Sequence, residues 1–151
     1  MGGGPLADAA RRTGTAAAAR SFVILVDTSV WIHVFRRSNP IDLEAVASFD
    51  DVVTCLPVIQ EVLQGFAHEG AFRTARSSML ALPRVESPLS ESLVLEAVAL
   101  YRAARRSGLT VRSSVDCLVA ACALRNDLEV LHHDRDYAAI AAVAPLRQRR
   151  I

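Results

Sequence analysis

The strongest constraint on the fold is an alternation of short apolar runs with helical patterns, which begins at Phe22. The strand-like runs are Phe22–Asp27, Val52–Leu56, Arg84–Glu86 and Glu129–His132. The helical patterns are Val30–Arg36, Val58–Ala67, Phe72–Leu82, Leu93–Arg106, Val115–Arg125 and Tyr137–Val143. Strands that alternate with helices are typical of parallel sheets. We therefore predict an α/β fold in three layers, with a central parallel sheet flanked by helices.

The first 21 residues differ in composition from the rest of the chain. Residues 1–21 are rich in Gly, Ala and Arg and lack an apolar periodicity. We therefore predict a flexible tail over residues 1–21 and a single domain over residues 22–151. A translation start at Val23, which would leave the tail out of the protein, is the alternative.

The cysteines and apolar runs indicate the compartment. Three cysteines are an odd set without CxxC spacing, which argues against a disulfide framework and against a zinc site. The apolar runs are too short or too interrupted to cross a bilayer. We expect a cytoplasmic protein with no membrane association.

The basic residues exclude several enzyme classes. All 17 of them are arginine, so the chain cannot contain the lysine of a P-loop or of a Schiff-base enzyme. A phosphatase with Asp27 as nucleophile would also need a later lysine, and a second aspartate at the position of Ser29. The net charge of +1 argues against a strongly basic nucleic-acid binder.

Four carboxylates fall where a parallel sheet would bring them together. Asp27 ends the first strand-like run, and Asp134 follows the run Glu129–His132. Glu61 and Asp116 lie in the first turns of two predicted helices. The carboxyl ends of strands and the starts of the following helices share one edge of such a sheet. We therefore expect the four side chains to share a rim.

Each of these residues also has an ordinary structural interpretation. Asp116 fits a helix N-terminus or a variant capping box with Ser113, Glu61 fits an exposed helix flank, and Asp134 fits a turn. Asp27 is less ordinary, because an unpaired carboxylate at the end of an apolar strand is costly. Their combination therefore carries more weight than any single one.

Clustered carboxylates repel one another, which is electrostatically unfavourable. A divalent cation bound among them compensates this repulsion. Oxygen ligands without matched His or Cys positions suit Mg²⁺ or Mn²⁺ better than zinc. Such an ion can activate water and stabilise charge on phosphate oxygens. The predicted rim therefore favours phosphodiester hydrolysis.

Four segments together resemble the motifs of VapC toxins, which are PIN-domain ribonucleases of type II toxin–antitoxin systems. The segments are Val26–Trp31 (VDTSVW), Gln60–Gly65 (QEVLQG), Thr110–Ala121 (TVRSSVDCLVAA) and His132–Tyr137 (HHDRDY). Their order and spacing cover about Phe22 to Arg150. The resemblance implies a PIN fold and a Mg²⁺- or Mn²⁺-dependent endoribonuclease that uses a metal-activated water and leaves 5′-phosphates.

The resemblance also assigns roles to individual residues. The metal-binding and catalytic positions are Asp27, Glu61, Asp116 and Asp134. We expect Asp27 and Asp116 to be direct ligands, and Glu61 and Asp134 to act partly through water. The accessory positions are Asp136, Thr28 and Ser29, of which Thr28 or Ser29 should steady Asp27. Arg112 lies in the third motif, which favours either contact with the substrate or a structural role near the site.

The partners implied by the resemblance are an RNA substrate, a cognate VapB-type antitoxin and a second copy of the chain in a homodimer. The antitoxin would place a basic side chain among the carboxylates, and the toxin would contact DNA only indirectly through it. The alternative is a PIN-like protein that binds RNA or antitoxin without cutting.

Three arginines outside the motifs remain open to two interpretations. Arg102, Arg105 and Arg106 end the predicted helix Leu93–Arg106. They can grip phosphates near the acidic rim or form a solvated helix face. Aromatic residues make up only 5% of the chain, so we do not expect RNA choice to rest mainly on base stacking.

Overall fold

The computed structural model describes residues 22–151 and contains one parallel sheet. Its strands are β1 (Ile24–Val26), β2 (Val52–Val53), β3 (Glu129–His132) and β4 (Arg147–Arg150), and their order across the sheet is β2-β1-β3-β4. All three strand pairs are parallel, with Ile24 opposite both Val52 and Glu129. The predicted α/β fold with a central parallel sheet is confirmed. The predicted tail, residues 1–21, lies outside the described residues.

Helices connect the strands. They are α1 (Thr28–Val34), α2 (Leu56–Gln64), α3 (Glu69–Ala81), α4 (Glu91–Arg106), α5 (Ser114–Arg125) and α6 (Asp136–Ala141), and two short 3₁₀ turns span Leu43–Ala45 and Phe49–Asp51. Pro57 lies in the first turn of α2, where its missing N–H costs nothing. Gly108, with φ +73°, adopts the left-handed conformation just after α4. Within residues 22–151 no helix is both long and apolar enough to cross a bilayer.

The core lies where the central strands meet α5. Leu25, Val26, Val130 and Leu131 of the central strands have no exposed surface. Helix α5 is buried around most of its circumference, since Val119, Ala120, Ala121, Cys122 and Ala123 are all almost inaccessible. Small residues allow this close packing. The carboxyl ends of β1 and β3 and the start of α5 are therefore held rigidly.

Two strand assignments differ from the sequence-based prediction. The predicted strand Arg84–Glu86 is wrong, because only an isolated bridge between Thr54 and Arg84 forms there. Glu86 has φ +50°, which ends the extended backbone. Conversely, β4 was not predicted, because its sequence RQRR has neither apolar residues nor alternation. It joins the sheet at the edge, where charged side chains are tolerated.

Candidate active site

The carboxyl ends of β1 and β3 place the predicted carboxylates around one rim. Asp27 follows β1 directly, and its backbone N–H donates to Leu131 O of β3 at 2.9 Å. Asp134 lies two residues after β3, and Asp116 lies in the first turn of α5. Glu61 lies in α2, close enough for its charge to act on Asp116. The structure therefore brings the four predicted side chains together.

Asp27 is held by hydrogen bonds from both sides. It is almost fully buried and caps α1, with Oδ2 accepting from Ser29 N at 3.0 Å and from Ser29 Oγ at 2.6 Å. Its other oxygen, Oδ1, accepts from Tyr137 Oη at 2.6 Å. Three donors thus fix the orientation of this carboxylate and compensate its burial.

The two hydroxyl residues after Asp27 have different partners. Ser29 Oγ, besides donating to Asp27, accepts from His133 N at 2.9 Å and so ties α1 to the segment after β3. Thr28 Oγ1 donates instead to Glu61 Oε2 at 3.0 Å. Ser29 thus holds Asp27, as expected of one of the pair, and Thr28 positions Glu61.

Asp134 and Asp136 are bound to Arg112. The Arg112 guanidinium contacts Asp134 Oδ1 at 3.0 Å and Asp136 Oδ1 at 3.2 Å. Asp136 Oδ2 also accepts from the backbone N–H groups of Arg112 and Ser113, at 2.8 and 3.1 Å. Asp136 is buried and therefore anchors the chain entering α5, whereas Asp134 is partly exposed. The guanidinium of Arg112 lies at the rim, where a substrate could reach it. Its contact with substrate stays a prediction.

Asp116 differs from its neighbours because its buried atom Oδ2 has no hydrogen-bond partner among the described residues. Burial, and then the negative charges of Asp27, Asp134, Asp136 and Glu61, raise its pKa from 3.8 to about 8. The pKa of Glu61 is also raised by burial and by Asp27, against the opposing effect of the hydrogen bond from Thr28. The rim thus holds more negative charge than its own cations neutralise.

This arrangement fits a divalent cation. Oxygens of Asp116, Asp134 and Asp136 lie within 4.8 Å of one another, which is close enough to share one ion. This set contains two of the four predicted ligands and the predicted accessory residue Asp136, whereas Asp27 and Glu61 lie outside it. The neighbouring histidines are engaged elsewhere, His132 with Gln148 and His133 with the carbonyl of Ile151. An oxygen-only donor set with an unpartnered buried oxygen is suited to a hard ion such as Mg²⁺ or Mn²⁺.

Tyr137 is a site residue that the sequence analysis missed. Its ring is fully buried beside His132, and its hydroxyl donates to Asp27 across 110 positions of sequence. Burial and the charge of Asp27 raise its pKa well above the ordinary value, so the hydroxyl keeps its proton and remains a donor. The only local signal is its position directly after Asp136, at the start of α6.

Comparison with known proteins agrees with this geometry. A family model described as "PIN domain" matches residues 24–143. Ribonuclease VapC11 of Mycobacterium tuberculosis is 34% identical over 131 residues, which are 83% of this chain and 96% of that protein.

Solved structures show the same fold. The chain resembles VapBC-5 of Mycobacterium tuberculosis, a member of a toxin–antitoxin family, with a TM-score of 0.64 and 24% identity over 85% of this chain and 99% of that one. It also resembles DNA-bound VapBC from Salmonella typhimurium, with a TM-score of 0.66 and 14% identity over 85% of this chain and 98% of that one.

Proposed function

Because the chain belongs to the PIN-domain family and to its VapC ribonucleases, we propose that it is the toxin of a type II toxin–antitoxin pair and cleaves RNA. The observation that carries the proposal is the unpartnered, buried oxygen of Asp116 among like charges. A buried carboxylate left without a partner is costly unless it serves a ligand. Residues 22–151 form the nuclease domain, which acts in the bacterial cytoplasm.

The cation expected at this site is Mg²⁺ or Mn²⁺. Asp27 and Asp116 would bind it directly, and Glu61 and Asp134 would act partly through water. A divalent cation in such a site supplies activation of water and neutralisation of phosphate charge. No side chain of the rim is then needed as a nucleophile, and the products carry 5′-phosphates.

The protein's own residues prepare this chemistry. Ser29 and Tyr137 fix the direction of Asp27, so little reorganisation is needed when a ligand arrives. Asp116, with a pKa of about 8, holds a proton at neutral pH until a positive charge displaces it. Thr28 positions Glu61, whose pKa is raised by burial, so that its carboxylate is a stronger proton acceptor than an exposed glutamate. Arg112 adds a cation beside Asp134 where a phosphate would approach.

The proposed partners follow from the same family. The resemblance to VapBC-5, described as a member of the VapBC family of toxin–antitoxin systems, supports a cognate VapB-type antitoxin. The proposed homodimer rests on the resemblance of the four motifs alone. A basic side chain of the antitoxin would satisfy the same excess of negative charge that a cation satisfies. The likeness to a DNA-bound VapBC supports DNA binding by the complex of toxin and antitoxin. We propose that this chain contacts the DNA only indirectly, through the antitoxin.

Cleavage of a cellular RNA pool by the purified chain tests the proposal. We expect discrete cuts with Mg²⁺ or Mn²⁺, bearing 5′-phosphates when their ends are mapped, and none with EDTA or with Asp116→Asn. Mg²⁺ should also raise the melting temperature of the wild type and have much less effect on the variant. Cutting that survives both EDTA and the substitution would refute the site. RNA binding without cutting under either metal would favour a non-catalytic PIN-like protein.

A further inference from the structure

Three arginines at the end of α4 face a common cleft. Arg102, Arg105 and Arg106 are exposed and line a cleft of about 380 Å³. Among residues 22–151, none of the three has a carboxylate partner. Arg125, by contrast, pairs with Glu86 and Glu96 at 3.2 and 2.6 Å. The cleft therefore combines three positive charges that nothing in this part of the chain neutralises.

A second cleft adjoins the first at Arg105 and is lined as far along the chain as Val111. It has a volume of about 130 Å³, and its lining residues are Tyr101, Arg105, Leu109, Thr110 and Val111. Arg105 lines both clefts. The residue after Val111 is Arg112, whose guanidinium lies 3.0 Å from Asp134 Oδ1. The second cleft thus has Arg105 in its lining, and its last lining residue directly precedes the arginine at the edge of the proposed active site.

Helix stability alone does not explain this arrangement. Basic residues in the last turn favour a helix through its dipole, whichever way their side chains point. That effect requires no shared cleft and no connection with the rim. Three arginines facing one cleft instead form a concave site for an anion that carries several charges.

We propose that these two clefts, which we call the α4 track, bind the sugar–phosphate backbone of the RNA strand whose scissile bond lies at the carboxylate rim. The inference rests on the proposed ribonuclease function. Arg102, Arg105 and Arg106 contact successive phosphates, because a forked guanidinium matches phosphate oxygens. Tyr101, with 39% of its surface exposed, offers a ring on which a base stacks. Binding by the track depends on the backbone and is tolerant of sequence.

RNA fits the α4 track better than an acidic protein segment does. A substrate strand must pass the rim, and the lining of the track ends at Val111, next in sequence to Arg112, whose guanidinium contacts Asp134 of the rim. A strand held there presents a phosphate every nucleotide, which matches arginines distributed over two adjoining clefts. An acidic peptide would need no such link to the rim.

The test measures RNA binding separately from cleavage. In the full chain carrying Asp116→Asn, Arg102, Arg105 and Arg106 are changed together to Gln, and binding of a fluorescent single-stranded RNA of about 20 nucleotides is followed by anisotropy. We expect Kd to rise by at least about 10-fold at low salt, and the slope of log Kd against log salt to fall by roughly 2. Arg76→Gln, at an exposed arginine of α3 that lines neither cleft, is the matched control and should leave both values unchanged.

A single substitution in the α4 track makes the binding test independent of how well the triple variant folds. Arg105→Gln alone removes the arginine common to both clefts and should give a smaller loss with the same direction, even if the triple variant folds poorly. Unchanged RNA affinity in both variants would overturn the inference and leave the ribonuclease proposal standing. Unchanged RNA affinity with lost binding of a polyglutamate peptide would instead assign the track to an acidic protein. Absence of cleavage by the wild type, with arginine-dependent RNA binding, would sink the nuclease proposal and support the track.

Discussion

Asp27 and Asp116 are two buried aspartates of one rim, yet their surroundings are opposite. Asp27 accepts hydrogen bonds from Ser29 and Tyr137 on both of its oxygens. Asp116 has a buried oxygen with no partner among residues 22–151, and its pKa is raised to about 8. The first carboxylate is already satisfied by the protein, whereas the second is satisfied only by a proton or an added cation. The difference teaches that two buried carboxylates of one site can be prepared in different ways: the protein orients one before a ligand arrives and leaves the other for a ligand to satisfy.

The largest expected effect is loss of cleavage on replacing either aspartate by asparagine. Asp27→Asn and Asp116→Asn should each lower kcat by at least about 100-fold, because each removes a charged oxygen from the proposed cation site. Their stabilities without metal should move in opposite directions at pH 8. Asp116→Asn removes a buried charge and should raise the melting temperature. Asp27→Asn replaces one accepting oxygen by an NH2 group, which cannot accept the hydrogen bonds that Ser29 or Tyr137 donates, and should therefore lower it.

Calorimetry of the two variants in EDTA at pH 8 measures this difference. In a domain of this size, each kcal/mol of change in the free energy of unfolding shifts the melting temperature by about 2–8 °C. If both variants shift the melting temperature in the same direction, the surroundings of Asp27 and Asp116 do not differ in the way described above. Far-ultraviolet circular dichroism serves as the control that both variants keep the wild-type fold.

The next effect is the dependence of stability on pH. The folded-state pKa of Asp116 lies above the unfolded value of 3.8, so between pH 4 and pH 8 the folded state binds more protons than the unfolded one. The stability present below the unfolded pKa is therefore lost as pH rises through about 8. The raised pKa of Glu61 acts in the same direction.

Denaturant unfolding in EDTA across this pH range should show a falling free energy of unfolding for the wild type and a flatter profile for Asp116→Asn. Mg²⁺ should also flatten the wild-type profile at the alkaline end, because a bound cation favours the ionised carboxylate. A wild-type profile that rises steadily from pH 5 to pH 8 would contradict the assignment.

The smallest expected effect comes from Tyr137→Phe. This change removes the 2.6 Å hydrogen bond to Asp27 Oδ1 and keeps the buried ring. We expect a loss of about 1–2 kcal/mol of stability and a reduction of kcat by only a few-fold, since Ser29 still holds the carboxylate. The chain's other tyrosine, Tyr101, is partly exposed and supplies Tyr101→Phe as the stability control. A Tyr137→Phe variant as stable as the wild type would show that Asp27 does not depend on this hydroxyl.

Much of the fold, and the identity of the carboxylates that lie at the rim, could be predicted from local sequence. Apolar runs of the right length identified β1 and β3, and the positions of Asp27 and Asp134 after them indicated the shared edge. The strand β4 could not be found in this way. Its four residues are polar, and only backbone pairing with β3 makes them a strand.

The partners within the rim were harder to predict than its members. The hydrogen bond between Tyr137 and Asp27 joins residues that are distant in sequence, so no local pattern contains it. Asp136 was expected to be an accessory residue, and its two bonds to backbone N–H groups before α5 depend on how α6 packs. The unpartnered state of Asp116 is likewise a property of packing rather than of motif.

The pairing of β1 with β3 has a consequence for the timing of synthesis. These strands are neighbours in the sheet, but 102 residues separate Val26 from Glu129, and Asp134 follows still later. A ribosome must therefore translate beyond residue 134 before the carboxylates can meet. Every truncated or nascent product that lacks β3 is without a complete rim, so a chain that stops before β3 cannot assemble the proposed active site.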